Sequence, residues 1–516
     1  MDVVQSYQPL LRQAQSVYDV AKRTDLMPAH RLSSHLGNRL FFKREDTQPT
    51  FSFKCRGAYA KIAALSEAEK QAGIITASAG NHAQGVALAC QNQGLSAYIV
   101  MPETTPSIKV QSVQALGGQA ILHGDDYDTA YQHALYLANQ HRYTYVHPYD
   151  DPMVIAGQGT IGLEIMDQMD MATVDGLFVP VGGGGLIAGV IVAIKHRYPG
   201  VRIIGVESEE SACLHAALAH GHRVALDTVG IFADGVAVKQ IGEAPYRIIR
   251  EHVDHVITVS VDEICASIKD NFEETRVLVE PAGALSLAGI KRYIQTHHAQ
   301  NQTFVGITCG ANTNFDRLRH IAERTEIGEK TESILGVTIP EQPGSFLSFC
   351  EAIGKRVVTE FNYRYSHNER AQVFVGVRTR EAEAIIDPLT ASGYTVVNLT
   401  DNEAAKLHIR YMIGGQTALP HERLFRFRFP EKPGALLKFL AHLGSQWTIT
   451  LFHYRNHGAA YGRVLVGLAA TPTDTQLDET LATLGYWFQE ESDNPAYTLF
   501  LKPLSEYSIN VNDSRK

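Results

Sequence analysis

Between about residues 20 and 325, short apolar runs rich in β-branched residues alternate with longer stretches whose apolar positions recur at helical spacing. Ala97–Met101, Gly176–Val181, Arg202–Val206 and Thr303–Ile307 read as strands, with Ile108–Leu116 and Leu186–His196 as helices among them. Strands separated by helix-length patterns predict α/β units on largely parallel sheets. Such sheets seat ligands beyond the carboxyl ends of their strands, where a glycine-rich turn enters the next helix. The uncharged run Gly176–Ile194 is long enough to raise a membrane span. Pro180 and four consecutive glycines interrupt it, so it reads as buried strand, loop and buried helix, and no membrane partner is expected.

Beyond residue 330 the texture changes. Glu341-Gln-Pro-Gly-Ser-Phe-Leu-Ser-Phe349 is echoed 90 residues later by Glu431-Lys-Pro-Gly-Ala-Leu-Leu-Lys-Phe439. Phe361-Asn-Tyr-Arg364 is echoed by Phe452-His-Tyr-Arg455, and Val373–Val377 by Val464–Leu468. Matching elements in the same order indicate a duplicated module. Each copy reads as strand, Pro-Gly turn, helix, strand, strand, the copies spanning about 332–405 and 420–503. The boundary falls in the charged stretch Glu326–Glu332, giving domains 1–328 and 329–516.

Composition changes this picture little. With 516 residues the chain exceeds one core, and three or four domains are expected at about 150 residues each. A net charge of −9 argues against nucleic acid, whose phosphates need a basic face. Six scattered cysteines form no CxxC pair, so neither a metal cage nor a disulfide framework is expected, and reduced thiols fit a cytoplasmic protein. Met1–Asp19 lacks the apolar core of a signal peptide.

Three stretches carry candidate chemistry. In Val181-Gly-Gly-Gly-Gly-Leu186 a strand runs into glycines and then a helix, so backbone N–H groups can converge on an anion at the helix start. A phosphate is the natural guest. Which phosphate stays open, because Gly183, Gly185 and Ala188 also satisfy the dinucleotide pattern, with Glu207 placed as a ribose-binding acid would be. Ser52-Phe-Lys-Cys-Arg-Gly57 puts Lys54 beside an aromatic at the start of a helix, where a lowered pKa would let it form an imine with an aldehyde. On spacing alone an ordinary solvated lysine reads better. Ser78-Ala-Gly-Asn-His-Ala-Gln-Gly85 leads small residues into a helix whose first turn can seat a carboxylate; Ser78 and Asn81 would equally suit plain helix capping.

Taken in order with Glu280-Pro-Ala-Gly-Ala284 and Cys309-Gly-Ala-Asn312, these stretches resemble the β-family (fold type II, tryptophan synthase β-like) of pyridoxal-phosphate enzymes, and within it the threonine dehydratases. The duplicated C-terminal module resembles the tandem α+β ACT-like regulatory domains of the biosynthetic, isoleucine-inhibited members. The resemblance implies pyridoxal 5'-phosphate as cofactor and no metal. It implies dehydration and deamination of L-threonine to 2-oxobutanoate and ammonia at the first step of isoleucine biosynthesis. It also implies a homotetramer inhibited by isoleucine and relieved by valine. Carried over residue by residue, Lys54 holds the cofactor and takes the Cα proton, and Gly182, Gly183, Gly184, Gly185 and Leu186 cradle the phosphate. Asn81 bonds the ring hydroxyl, Cys309 faces the ring nitrogen, and Ser78, Ala79, Gly80 and His82 hold the substrate carboxylate. Tyr363 and Tyr454, at matching places in the two modules, border the effector sites.

Overall fold

The computed structural model describes residues 2–328, 332–340, 345–354, 356, 358–363, 370–379, 381–411, 421–430, 435–443, 446–447, 449–455 and 461–501. The chain divides into two units, Met1–Thr325 and Glu326–Lys516.

Ten strands build two sheets in the first unit: β1 (Leu26–Pro28), β2 (Arg39–Arg44), β3 (Ile74–Ala77), β4 (Ala97–Met101), β5 (Gln119–Leu122), β6 (Thr144–Tyr145), β7 (Gly176–Pro180), β8 (Ile203–Ser208), β9 (His255–Val259) and β10 (Thr303–Thr308). The larger sheet runs β1-β2-β10-β7-β8-β9, and the smaller runs β5-β4-β3-β6. Every pairing is parallel except β1 with β2. Burial explains the run of apolar residues: all five positions of β7, all six of β8 and all six of β10 are buried. Strands covered on both faces lose the alternation of a half-exposed sheet. The suspected membrane span resolves into β7 and the Gly185–Ile194 helix, all ten of whose residues are buried. No helix among the described residues is long and apolar enough to cross a membrane.

Two features fix the helices that carry the site. Asp151 caps the Pro152–Gln168 helix by accepting from Met153 and Val154 N–H, with Pro152 at its first position. The Lys54–Ala63 helix is pinned from behind by a fully buried ion cluster. Arg56 pairs with Glu45 at 2.8 Å and Glu164 at 2.6 Å, and Lys43 also meets Glu164, at 2.5 Å. Burial this deep is tolerated because each charge is matched and hydrogen-bonded. Five cysteines among the described residues (Cys55, Cys90, Cys213, Cys265 and Cys309) are free and buried.

In the second unit each copy is richer than its sequence pattern indicates. The first runs β11 (Glu332–Pro340), helix Ser345–Ile353, β12 (Val358–Tyr363), β13 (Arg370–Arg378), helix Glu383–Ala391, β14 (Thr395–Asn398). The second runs β15 (Arg423–Pro430), helix Ala435–Leu443, β16 (Ile449–Arg455), β17 (Tyr461–Leu468), helix Thr475–Thr483, β18 (Trp487–Glu490). Sheet orders β12-β13-β11-β14 and β16-β17-β15-β18 coincide. The extra helix and strand in each copy escaped the pattern for physical reasons: Pro388 lies inside one helix, and β14 and β18 are four-residue strands with no buried position. Both faces of each sheet are apolar. Leu335, Val337 and Ile339 face one core, Phe425, Phe427 and Phe429 another, and Ile334, Phe374, Leu424 and Leu465 join the two copies in a third. The segments 341–344 and 431–434, which hold the Pro-Gly pairs, lie outside the described residues.

Candidate active site

The site gathers at the carboxyl ends of parallel strands. β3 leads into Ser78, β6 into His147, β7 into the glycines and β10 into Cys309. Lys54, Asn81, Gly182, Gly183, Gly184, Gly185, Leu186, Glu280 and Cys309 line one cavity, with an empty volume of about 430 Å³ that includes open solvent. Lys54 opens its helix, and its Nζ donates to the Pro148 carbonyl at 3.1 Å and lies 5.3 Å from the centre of the Phe53 ring. Desolvation lowers the amine to about 8 although Cys309 and Glu280 pull the other way. A lysine near neutrality is a usable nucleophile and base.

Opposite it, the turn cannot be made with side chains. Gly184 has φ +90°, and a Cβ on Gly182 would lie 2.8 Å from the Cα of Val236. Gly183 packs flat under the Tyr149 ring, where any Cβ would enter the ring. The helix beginning at Gly185 has no side-chain cap, leaving its first turn to a ligand.

Asn81 starts the Asn81–Gln93 helix and sits in a polar chain. Its amide donates to Glu280 Oε1 at 2.6 Å, and its oxygen accepts from Asn312 Nδ2 at 2.7 Å. Burial first, and Asp234 second, push the Glu280 carboxyl up to about 7. Burial also drives the Cys309 thiol well above its ordinary value, so it stays neutral. Ser78, Ala79 and Gly80 form the half-exposed loop before the helix, next to the cavity but outside its lining. His82 turns inward: its Nε2 donates to the Val146 carbonyl at 3.0 Å, and burial lowers the ring to about 3. Only its backbone N–H, in the first helical turn, is left to meet a carboxylate.

The sequence reading missed the segment after β6. His147 Nδ1 accepts from Asp150 N–H at 2.8 Å, Pro148 holds Lys54, Tyr149 covers the glycines, and Asp150 accepts from Glu243 and Ala244 N–H, both at 2.9 Å. Glu280 stood in a quoted motif without a role. For the dinucleotide alternative the structure is decisive at Glu207. Both its oxygens accept, at 2.8 Å, from Leu214 and His215 N–H, so it caps a helix and has no oxygen turned to a ribose. In the second unit Tyr363 pairs with Val373 in β12 and Tyr454 with Val464 in β16, while their side chains lie outside the described residues.

Comparison with known proteins settles the family. A model of pyridoxal-phosphate dependent enzymes matches residues 17–310, and one of the C-terminal regulatory domain of threonine dehydratase matches twice, at 323–409 and 414–501. The chain is 52% identical over 491 residues to the biosynthetic L-threonine dehydratase of Pasteurella multocida, covering 94% of this chain and 95% of that one. This chain belongs to the threonine dehydratases. Another member, from Escherichia coli, is 51% identical over 490 residues, 94% of this chain and 95% of its own. Among solved structures, processed threonine deaminase isoform 2 of Solanum lycopersicum superposes with a TM-score of 0.60 at 45% identity, over 62% of this chain and 93% of that one.

As in any threonine dehydratase of this family, the cofactor is pyridoxal phosphate, and the residues present fit it. A glycine cradle closed to any Cβ suits a phosphate, a lysine amine near 8 suits an aldehyde, and a neutral thiol suits an unprotonated ring nitrogen. All three line the same cavity.

Proposed function

We propose that this chain converts L-threonine to 2-oxobutanoate and ammonia with pyridoxal phosphate, opening isoleucine synthesis under feedback control. One observation carries the reading: a desolvated lysine amine shares a cavity with a four-glycine turn in a chain half identical, over 94% of its length, to L-threonine dehydratases.

The bound cofactor supplies a conjugated ring that draws electrons from the substrate's Cα. Everything else falls to the chain. Gly182–Gly185 and Leu186 hold the phosphate through backbone N–H groups, and Asn81, braced by Glu280 and Asn312, orients the ring. The loop Ser78–Gly80 and the N–H of His82 receive the substrate carboxylate at a helix start. Lys54 takes the Cα proton as the β-hydroxyl leaves with its bonding pair, and proton and hydroxyl together make up the water lost. The lysine's value of about 8 lets it serve as base and later as acid near neutral pH. Cys309 stays neutral and does not fix a proton on the ring nitrogen, which favours loss of hydroxyl in step with proton removal. The released enamine takes up water and yields 2-oxobutanoate and ammonia.

In the second unit the paired modules bind isoleucine as inhibitor and valine as its antagonist, at sites bordered by Tyr363 and Tyr454. A tenfold preference of isoleucine for the less active state is worth about 1.4 kcal/mol per site. The working enzyme is a cytoplasmic homotetramer. Incubation with threonine, following 2-oxobutanoate and ammonia with isoleucine as the second variable, tests both halves. Absence of both products would defeat the catalytic reading, and hyperbolic kinetics indifferent to isoleucine would defeat the regulatory one.

A further inference from the structure

We propose that His147 is a positioning residue for Lys54, acting through the backbone of the turn that follows it. This assignment rests on the reading of Lys54 as the cofactor lysine. The ring makes its polar contacts with its own chain: Nδ1 accepts from Asp150 N–H at 2.8 Å and from Tyr149 N–H at 3.3 Å. A side-chain acceptor bonded to N–H groups two and three residues on is the arrangement that asparagine and aspartate use to bend a chain. The bend it makes here has three outputs.

Pro148, at the apex, points its carbonyl at Lys54 Nζ, 3.1 Å away. Tyr149 lies with its ring over Gly183 and its backbone against Gly185, edge-on to the His147 ring at 4.6 Å between centres. Asp150 reaches the start of the Glu243–His252 helix through Glu243 and Ala244 N–H. One imidazole nitrogen therefore sets the distance between the amine and the glycine turn. Lys54 follows β2 and the glycine turn follows β7, both in the larger sheet, whereas His147 follows β6 in the smaller one, so the turn it shapes reaches both parts from the other sheet.

An accepting Nδ1 requires an unprotonated nitrogen. Burial, with Lys54 adding to it, lowers the ring to about 4 despite Asp150 and Asp151, so the nitrogen stays an acceptor through the neutral range.

Two substitutions separate this role from simple ring packing. His147→Asn keeps an acceptor at the right reach and discards the ring. His147→Phe keeps the ring against Tyr145 and Tyr149 and discards the acceptor. The readouts are the rate at which cofactor-free protein captures added pyridoxal phosphate, and kcat and KM for threonine. Small misplacements of a reacting group cost on the order of 10- to 100-fold, which is the loss of capture rate and kcat expected in His147→Phe, with KM little changed. His147→Asn is expected to stay within about threefold of the unaltered protein on both measures. His147→Asn impaired as deeply as His147→Phe, or His147→Phe unimpaired, overturns the assignment. If His147→Phe does not fold, the His147→Asn result decides alone. An unaltered chain that captures no pyridoxal phosphate overturns this assignment together with the proposed function, whereas equal capture by both variants overturns this assignment only.

Discussion

Replacing Gly184 with alanine tests the cradle most directly, because two independent costs can be taken from the geometry. At φ +90° the backbone is left-handed, and a side chain there costs about 1–2 kcal/mol. The added methyl would also sit 2.7 Å from Ile241 Cδ1 and 2.8 Å from Pro245 Cβ. Crowding of this kind in a packed interior costs about 1–3 kcal/mol. Together these make about 2–5 kcal/mol, relieved most easily by swinging the turn out of the shape that aims its amides into the cavity. At 1.4 kcal/mol per tenfold, affinity for pyridoxal phosphate should fall by about 30-fold to several thousandfold. Titrating the cofactor-free protein and following the new absorbance gives the dissociation constant. A second variant divides the two costs. Adding Ile241→Ala to Gly184→Ala frees space for the methyl but leaves the backbone strain, so affinity should recover in part and not fully. Binding by Gly184→Ala within threefold of the unaltered protein would refute the phosphate assignment and the strain argument together.

Other outcomes follow from the same geometry. Lys54→Ala should abolish both turnover and the cofactor's lysine-bound absorbance, and a variant retaining either would remove Lys54 from its role. In cofactor-free protein the reactive form of Lys54 is the free amine, so labelling of its peptide by an amine reagent should rise with pH through a midpoint near 8, not 10.5. Arg56→Met leaves Glu45 and part of Glu164 without a cation; at about 3–5 kcal/mol, and about 2 °C per kcal/mol for a domain this large, the melting temperature of the catalytic unit should drop by about 6–10 °C. Arg56 and Lys43 hold the Glu164 carboxyl below its ordinary value, outweighing its burial. Its stabilisation is therefore present above the unfolded carboxylate value and lost as pH falls through the lowered one, so Glu164→Gln should destabilise at pH 7 and converge on the unaltered protein in acid.

How far the sequence could be read depended on whether a residue's task leaves a local trace. Ala97–Met101 was legible to the residue, and Thr303–Ile307 to within one, because buried parallel strands have no polar interruptions. The glycine turn announced itself through composition, since no other residue fits the left-handed Gly184 or the space beside Val236. His147 left no trace. Its work is done by one ring nitrogen on its own backbone, and it sits beside a proline and a tyrosine that look like any loop. Glu207 misled for the opposite reason: it has the right spacing from the glycines, yet its carboxylate is spent on the helix beginning at Cys213. Lys54 is intermediate. Its lowered pKa comes from enclosure that only folding produces, and the opposing pull of Cys309 and Glu280 likewise comes from residues distant in sequence.

The third core of the second unit bears on how such a chain can change over generations. Ile334, Phe374 and Leu399 from the earlier copy are sealed by Leu424, Leu465 and Tyr497 from the later one, and Glu403 is tied across to Arg463. Deleting either copy would strip a greasy sheet face bare and invite aggregation. Having doubled, the module is locked into its pair: the two halves can drift apart in what they bind, but neither can be discarded alone.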